Sequence, residues 1–263
     1  MTAHDNVITV ENSLIRTRLS RWFAGKLGSS VLKAEQSRIA QVLPDLFGYH
    51  ILQIGGSGTE HLLDSSRINH KIITYLESDD ISQNIASFYC ASRSIPIATD
   101  SMDVVVLPHV LEFETNPHQV LRETERVLIG EGHVVILGFN PWSLWGLWRL
   151  FLAWREDPPW SGHYLGLTRL KDWLTLLDFE IIKTECFYFR PPIQNVKFMQ
   201  RLKFMEQLGR YCWSYFGGVY LLVAKKRVIP LTPVKMQWRT RRHLIASGVA
   251  EPSARLTSIQ DDH

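Results

Sequence analysis

The chain is poor in cysteine: 263 residues hold only Cys90, Cys186 and Cys212, an odd number set far apart. That scarcity excludes a disulfide framework, and without a CxxC pair no metal site is indicated, so the three read as free thiols in packed positions. The opening MTAHDNVITV lacks a basic segment running into an apolar stretch and a small-residue cleavage site. No secretory signal is expected, and the cytosol is the expected compartment. No internal repeat is found. Neither sign of charge dominates, since 29 Lys and Arg stand against 26 Asp and Glu, a net charge of +3.

What charge there is sits unevenly. Lys225, Lys226, Arg227, Lys235, Arg239, Arg241, Arg242 and His243 crowd the C-terminal end. Such an end can attract nucleic acid or an anionic surface, or simply solvate the protein. Pro230, Pro233 and Gly248 break any sustained period there, so residues 228–263 read as a basic, mostly disordered tail.

With 45% hydrophobic residues the chain can bury a large core, and its length suits one α/β domain with additions. Leu32, Ile39, Val42 and Leu43 recur at helical spacing over 29–43 before Pro44. This predicts a helical segment within residues 1–44, ahead of a domain spanning 45–227. Strands are expected at His50 to Ile54, Lys71 to Leu76, Ile85 to Cys90, Glu180 to Thr184 and Val219 to Ala224. Asp103 to Leu107 (DVVVL) and His133 to Leu137 (HVVIL) are nearly continuous apolar runs of the kind buried on both faces of a parallel sheet.

Between those two runs lies a helix. Asn116 can cap it, Pro117 takes the first position, and Gln119 completes a capping-box spacing. Val120, Leu121, Val127 and Leu128 give it an apolar face, and Gly130 and Gly132 predict a turn after it. A second helix is expected with Thr168 as cap and Leu170, Trp173, Leu174 and Leu177 on one face. The alternation implies a doubly wound, mostly parallel, Rossmann-like seven-stranded sheet with helices on both faces and a crevice at the strands' carboxyl ends.

NPWSLWGLWRLFLAWRED, residues 140–157, gathers Trp142, Trp145, Trp148 and Trp154 around Arg149. It is too short for a comfortable membrane span. Burial against the sheet is the first expectation, with a lid over an apolar substrate or a peripheral membrane contact through residues 141–155 as alternatives. Further aromatics, among them Trp160, Tyr164, Phe187 and Tyr188, fall within an aromatic-rich cap over about 141–215 and point to a hydrophobic substrate.

HILQIGGSGTEH, residues 50–61, looks like a strand entering a glycine turn that cradles a nucleotide. A nicotinamide-binding GxGxxG fails at His61, where its last glycine belongs. Together, ILQIGGSG, IPIATDSMDVVVLPHVLEF and PHQVLRETERVLIGEGHVVILGFNP resemble class I S-adenosylmethionine-dependent methyltransferases with a type-11 methyltransferase domain, over roughly residues 50–140. With LFGYHILQIGG and GFNPWSLWGL, the chain is similar to the YafS-type bacterial proteins.

That resemblance implies S-adenosyl-L-methionine as cofactor and places its contacts. Gln53 stands where an acid is usual, Gly55 keeps the first glycine, and Ser57 and Thr59 take the next two glycine positions while Gly56 and Gly58 lie between. Backbone that can take positive φ is what the turn needs, and Gly56 and Gly58 allow it. Glu77 is the candidate for the ribose hydroxyls, with Asp79 or Asp80 as substitutes. Ala91 falls where an Asp meets the adenine amino group, with Cys90 and Ser92 beside it. Leu107, Pro108 and His109 line the floor beneath the sulfonium. LPHV lacks the Asn/Asp-Pro-Pro-aromatic motif of many amide and nucleobase methylases, which disfavours an exocyclic nitrogen acceptor.

His109 is the titratable group nearest that floor and the candidate general base, or else a structural hydrogen-bonding residue opening a helix. The expected function is methyl transfer to a small, hydrophobic acceptor at oxygen or carbon. The alternatives are a degenerate domain serving as a binding or regulatory protein, and an RNA methyltransferase using the basic tail for phosphate contacts.

Overall fold

The computed structural model of the protein describes residues 15–56, 58–75, 86–152, 158–192 and 215–228. Helices at 15–24 (α1) and Lys26–Ile39 (α2) lead through a tight turn at Leu43–Asp45 into β1 (His50–Ile54). Then follow β2 (His70–Tyr75), β3 (Ala86–Tyr89), β4 (Met102–Pro108), α3 (Pro117–Val127), β5 (Leu128–Phe139), α4 (Leu144–Leu152), α5 (Leu167–Leu176), β6 (Phe179–Phe187) and β7 (Val219–Lys226). The seven strands lie in the order β3-β2-β1-β4-β5-β7-β6. Strands β1 to β5 run parallel, and β7 is antiparallel to both its neighbours, β5 and β6. The order reverses between β1 and β4, and the crevice at their carboxyl ends is where an open α/β sheet takes its ligand.

The period-2 alternation of the central strands builds both faces at once. Ile51, Val104 and Val106 join Val31 and Ile39 of α2 in one core cluster. Leu52, Ile54, Val105 and Leu107 face the other way, onto Val120, Leu121 and Val127 of α3 and Leu170 and Leu174 of α5. Every residue from Val104 to Leu107 is fully buried, which explains why DVVVL carries no polar alternation.

Asn116 caps α3, its side chain accepting a bond from the Gln119 backbone N–H at 3.3 Å. The reciprocal half of the capping box is not made, because Gln119 Nε2 donates instead to the Arg93 carbonyl. Thr168 does not cap α5. Gly166 does, since its carbonyl already accepts from Leu170 N at 3.0 Å and Leu167 is the first helical residue. The expected glycine turn after α3 is a kink inside one long strand: Leu128 pairs with Met102, the register then shifts, and Glu131 takes φ +70°.

Of the large apolar side chains described in the aromatic stretch, only Trp145 is buried. Trp145 is wholly enclosed, stacked on Phe139 and Trp160, with its indole N–H donating to the Arg190 carbonyl at 2.9 Å. Trp142, Leu147, Trp148, Leu150 and Phe151 are exposed, so burial of the whole stretch is not what a nine-residue helix achieves: one edge meets the sheet and the rest faces out. Among the described residues no helix is long and apolar enough to cross a membrane. Of the basic C-terminal residues, three are consumed in ion pairs: Lys225 with Glu131, Lys226 with Asp100 and Glu125, and Arg227 with Glu180. The remainder of that tail lies outside the described residues, as does Cys212. Cys186 is buried and Cys90 partly so, and burial pushes both thiols up to about 11, as unreactive packed thiols require.

Asn116→Ala removes the only side-chain cap of α3 and should lower stability by about 1 kcal/mol in urea denaturation. An unchanged midpoint would show that the cap contributes nothing here.

Candidate functional site

The turn after β1 is held from inside. Gln53 is completely buried, and its Nε2 donates to the Gly55 carbonyl at 3.2 Å and to the Thr59 carbonyl and hydroxyl at 3.2 and 2.9 Å. Gly55 N bonds back to both the carbonyl and the hydroxyl of Thr74 on β2. Gly55 and Gly58 have φ of +82° and +79°, the left-handed region that only glycine enters freely. Gly56 is required for another reason: a Cβ there would run into Ile73 and Tyr75 of β2. Gln53, expected among the cofactor contacts, is thus a brace across the turn, and Thr59 is its counterpart. Ser57 and Glu77 lie outside the described residues, as do Asp79 and Asp80.

Helix α1 lies over this turn. The Arg16 guanidinium sits against Gly55, where a Cβ would collide with it, and Ser20 and Phe23 approach Gly58. Arg16 is itself buried, its Nη2 donating to Ser92 Oγ at 3.0 Å and pairing with Glu114 at 3.4 Å. Ser92, expected beside the adenine, is therefore tied to the glycine turn through an arginine. Nothing in the sequence pattern marked Arg16, because it is one of three arginines on a helix and stands 39 positions ahead of the glycine it covers.

At the end of β4, Leu107 and Pro108 are buried and Pro108 pairs with Leu137 of β5. No helix opens at His109. It is a turn residue with φ +50°, its N–H bonded to the Leu137 carbonyl at 3.0 Å. Its ring is sealed off, packed 4.2 Å from the Phe139 ring, between two carboxylates: Glu35 of α2 at 2.8 Å from Nε2 and Glu112 at 3.3 Å from Nδ1. Glu112 also accepts from the Phe139 backbone N–H. Burial disfavours the imidazolium, but the charges and hydrogen bonds of Glu35 and Glu112 outweigh it and raise the pKa to about 10. At neutral pH both ring nitrogens carry protons, so this histidine has no lone pair to offer as a base. One oxygen of each carboxylate, Oε2, is buried without a hydrogen-bond partner.

Next to this cluster opens a cleft of about 870 Å³, lined by Arg18 of α1, Glu112 and Phe113 after β4, His118 of α3, and Arg169 and Trp173 of α5. That volume suits a small molecule. The arrangement provides a glycine turn covered by a cation, and beside it a cleft lined by a carboxylate.

The strand order, with its antiparallel seventh strand and the glycine turn at the switch point, defines the class I methyltransferase fold. Residues 60–136 match the family profile described as a methyltransferase domain. The Escherichia coli (strain K12) protein YafS is 30% identical over 225 residues, covering 84% of this chain and 87% of that one. The chain belongs to this methyltransferase-domain family as a YafS-type protein. Among solved structures, a SAM-dependent methyltransferase from Thermotoga maritima superposes with a TM-score of 0.60 at 16% identity, over 79% of this chain and 93% of its own. A SAM-dependent methyltransferase from Archaeoglobus fulgidus gives 0.54 at 17% identity, over 74% and 94%. At such identities the likeness is one of fold. The profile match begins only at Glu60, past the glycine turn, where Gln53, Ser57 and Thr59 depart from the acid and glycines usual there.

A histidine pKa raised in the folded state stabilises the protein below its unfolded value of 6.5, and that contribution is lost as pH rises through about 10. The ring of His109 should therefore stay protonated in NMR titrations well past neutrality, and His109→Gln should flatten the decline in stability between those limits. A ring that titrates near 6.5 contradicts the pairing.

Proposed function

We propose that the protein binds S-adenosyl-L-methionine at the glycine turn and methylates a small-molecule acceptor, at oxygen or carbon, in the adjoining cleft. The observation that carries this reading is the turn itself: Gly55 and Gly58 in left-handed conformation at the end of β1, next to the β1/β4 switch point and beside a cleft of about 870 Å³. The cofactor supplies an electrophilic methyl group on a positively charged sulfur. Gly55, Gly56 and Gly58 shape the turn that receives it, Glu77 takes the ribose hydroxyls, and Ala91 and Ser92 take the adenine. Leu107 and Pro108 form an apolar floor that excludes water. Arg16 fits the carboxylate of the cofactor's amino-acid end, the one anionic group it carries.

Methyl transfer gains most from positioning and needs a base only to free the nucleophile. Glu112 lines the cleft beside His109, and it takes the acceptor's proton. His109, held as an imidazolium, positions Glu112 rather than acting as the base. A cytoplasmic location accords with this chemistry.

Calorimetric titration with S-adenosylmethionine and S-adenosylhomocysteine should give micromolar binding, ~8 kcal/mol, with none for NAD. Glu77→Ala should weaken it at least tenfold. No binding at millimolar cofactor contradicts the reading and favours a degenerate domain that works through partners.

A further inference from the structure

The cleft carries charges of both signs. Two carboxylates line it, Glu112 and Glu114, and each contacts a cation that does not line it: Glu112 the His109 ring, which Glu35 shares, and Glu114 the Arg16 guanidinium. Two guanidiniums line it as well, Arg18 on α1 and Arg169 on α5. Arg169 has no carboxylate within ion-pair reach among the described residues; its guanidinium is instead held 5.0 Å over the ring of Trp173. Trp173 in turn lies against His118, with ring centroids 3.7 Å apart and the planes tilted by 44°, so three cleft-lining side chains are in mutual contact. The first turn of α5 has no side-chain cap, which leaves its N-terminal N–H groups and their partial positive charge on the same side as Arg169. The remaining lining is apolar, with Ile15, Leu111, Phe113 and Leu165.

We propose that the acceptor is an anion, a carboxylate or a phosphate monoester on an apolar body, and that Arg169 is the residue that selects it. A guanidinium offers two parallel N–H donors to either group, and the contact with the Trp173 ring keeps it at the cleft wall. The apolar lining takes the body of the molecule, and Glu112 lies within the same cleft to receive a proton from its nucleophilic group. A neutral molecule of the same shape forgoes this ion pair and binds more weakly. This proposal rests on the reading that the cleft is the acceptor site of a methyltransferase.

The test is ligand-observed NMR on the full-length protein without cofactor. Three matched sets of small aromatic and aliphatic compounds serve as probes: carboxylates, phosphate monoesters, and neutral amides or alcohols of the same skeletons. Binders should fall in the acidic sets, and whichever set holds them identifies the anion. Arg169→Ala should weaken the best binder at least tenfold, Arg169→Lys less. Arg227→Ala removes an equal charge far from the cleft, from a residue paired with Glu180, and should leave affinity unchanged. Equal binding by the neutral set, no acidic binder at millimolar concentration, or equal losses in the Arg169 and Arg227 variants overturns the proposal. Because no cofactor is present, its failure is separate from a failure of cofactor binding.

Discussion

The buried pairing of His109 with Glu35 and Glu112 is the constraint on which the site depends. It joins helix α2 to the ends of two paired strands, β4 and, through the Phe139 backbone N–H, β5. Two carboxylates and one imidazolium without solvent cannot lose a member cheaply, since stranding a partner of a buried pair costs about 3–5 kcal/mol. The same pairing explains why a histidine tolerates φ +50°: its backbone is bonded to Leu137, its ring packs on Phe139, and both its nitrogens are engaged. With His109 fixed, Glu112 is fixed, and with Glu112 the wall of the cleft.

The second support comes from the N-terminal helices, which are part of the site rather than a preface to it. Helix α1 brings Arg16 onto Gly55 and Arg18 to the cleft, while α2 brings Glu35 to His109. Arg16 couples the two halves of the site, because the guanidinium against the glycine turn is the one that neutralises Glu114 in the cleft wall. Charge is thus arranged in a sequence from turn to cleft, Arg16 against Glu114 and His109 between Glu35 and Glu112, until Arg169 is reached.

The fold was legible because parallel strands buried on both faces write themselves as unbroken apolar runs. DVVVL marked its strand to within a residue at each end, HVVIL marked the carboxyl end of its strand to within two, and Asn116-Pro117 marked the start of α3. Boundaries that depend on neighbours were not: β5 extends back to Leu128 because it finds Met102 opposite, and α5 starts at Leu167 because Gly166 can cap it. Within the site, the glycines were legible as a local pattern. Gln53 stood out as a departure, but its role as a brace needs Thr59 folded back within reach of its amide. Glu35, Arg16 and Arg169 carry no local signal at all. Their meaning comes from partners 74, 76 and 98 positions away for the first two, and from a cleft wall for the third.

The central claim is that the turn at residues 53–59 still receives the cofactor in spite of its altered residues. Hydrogen exchange measured with and without S-adenosylhomocysteine tests it at the residues concerned. The account predicts slowed exchange focused on the amides of Gly55 to Thr59, on α1 around Arg16 and on Ser92, with β6 and α5 unchanged. Exchange that is unaltered at the turn, or slowed only elsewhere, would contradict it.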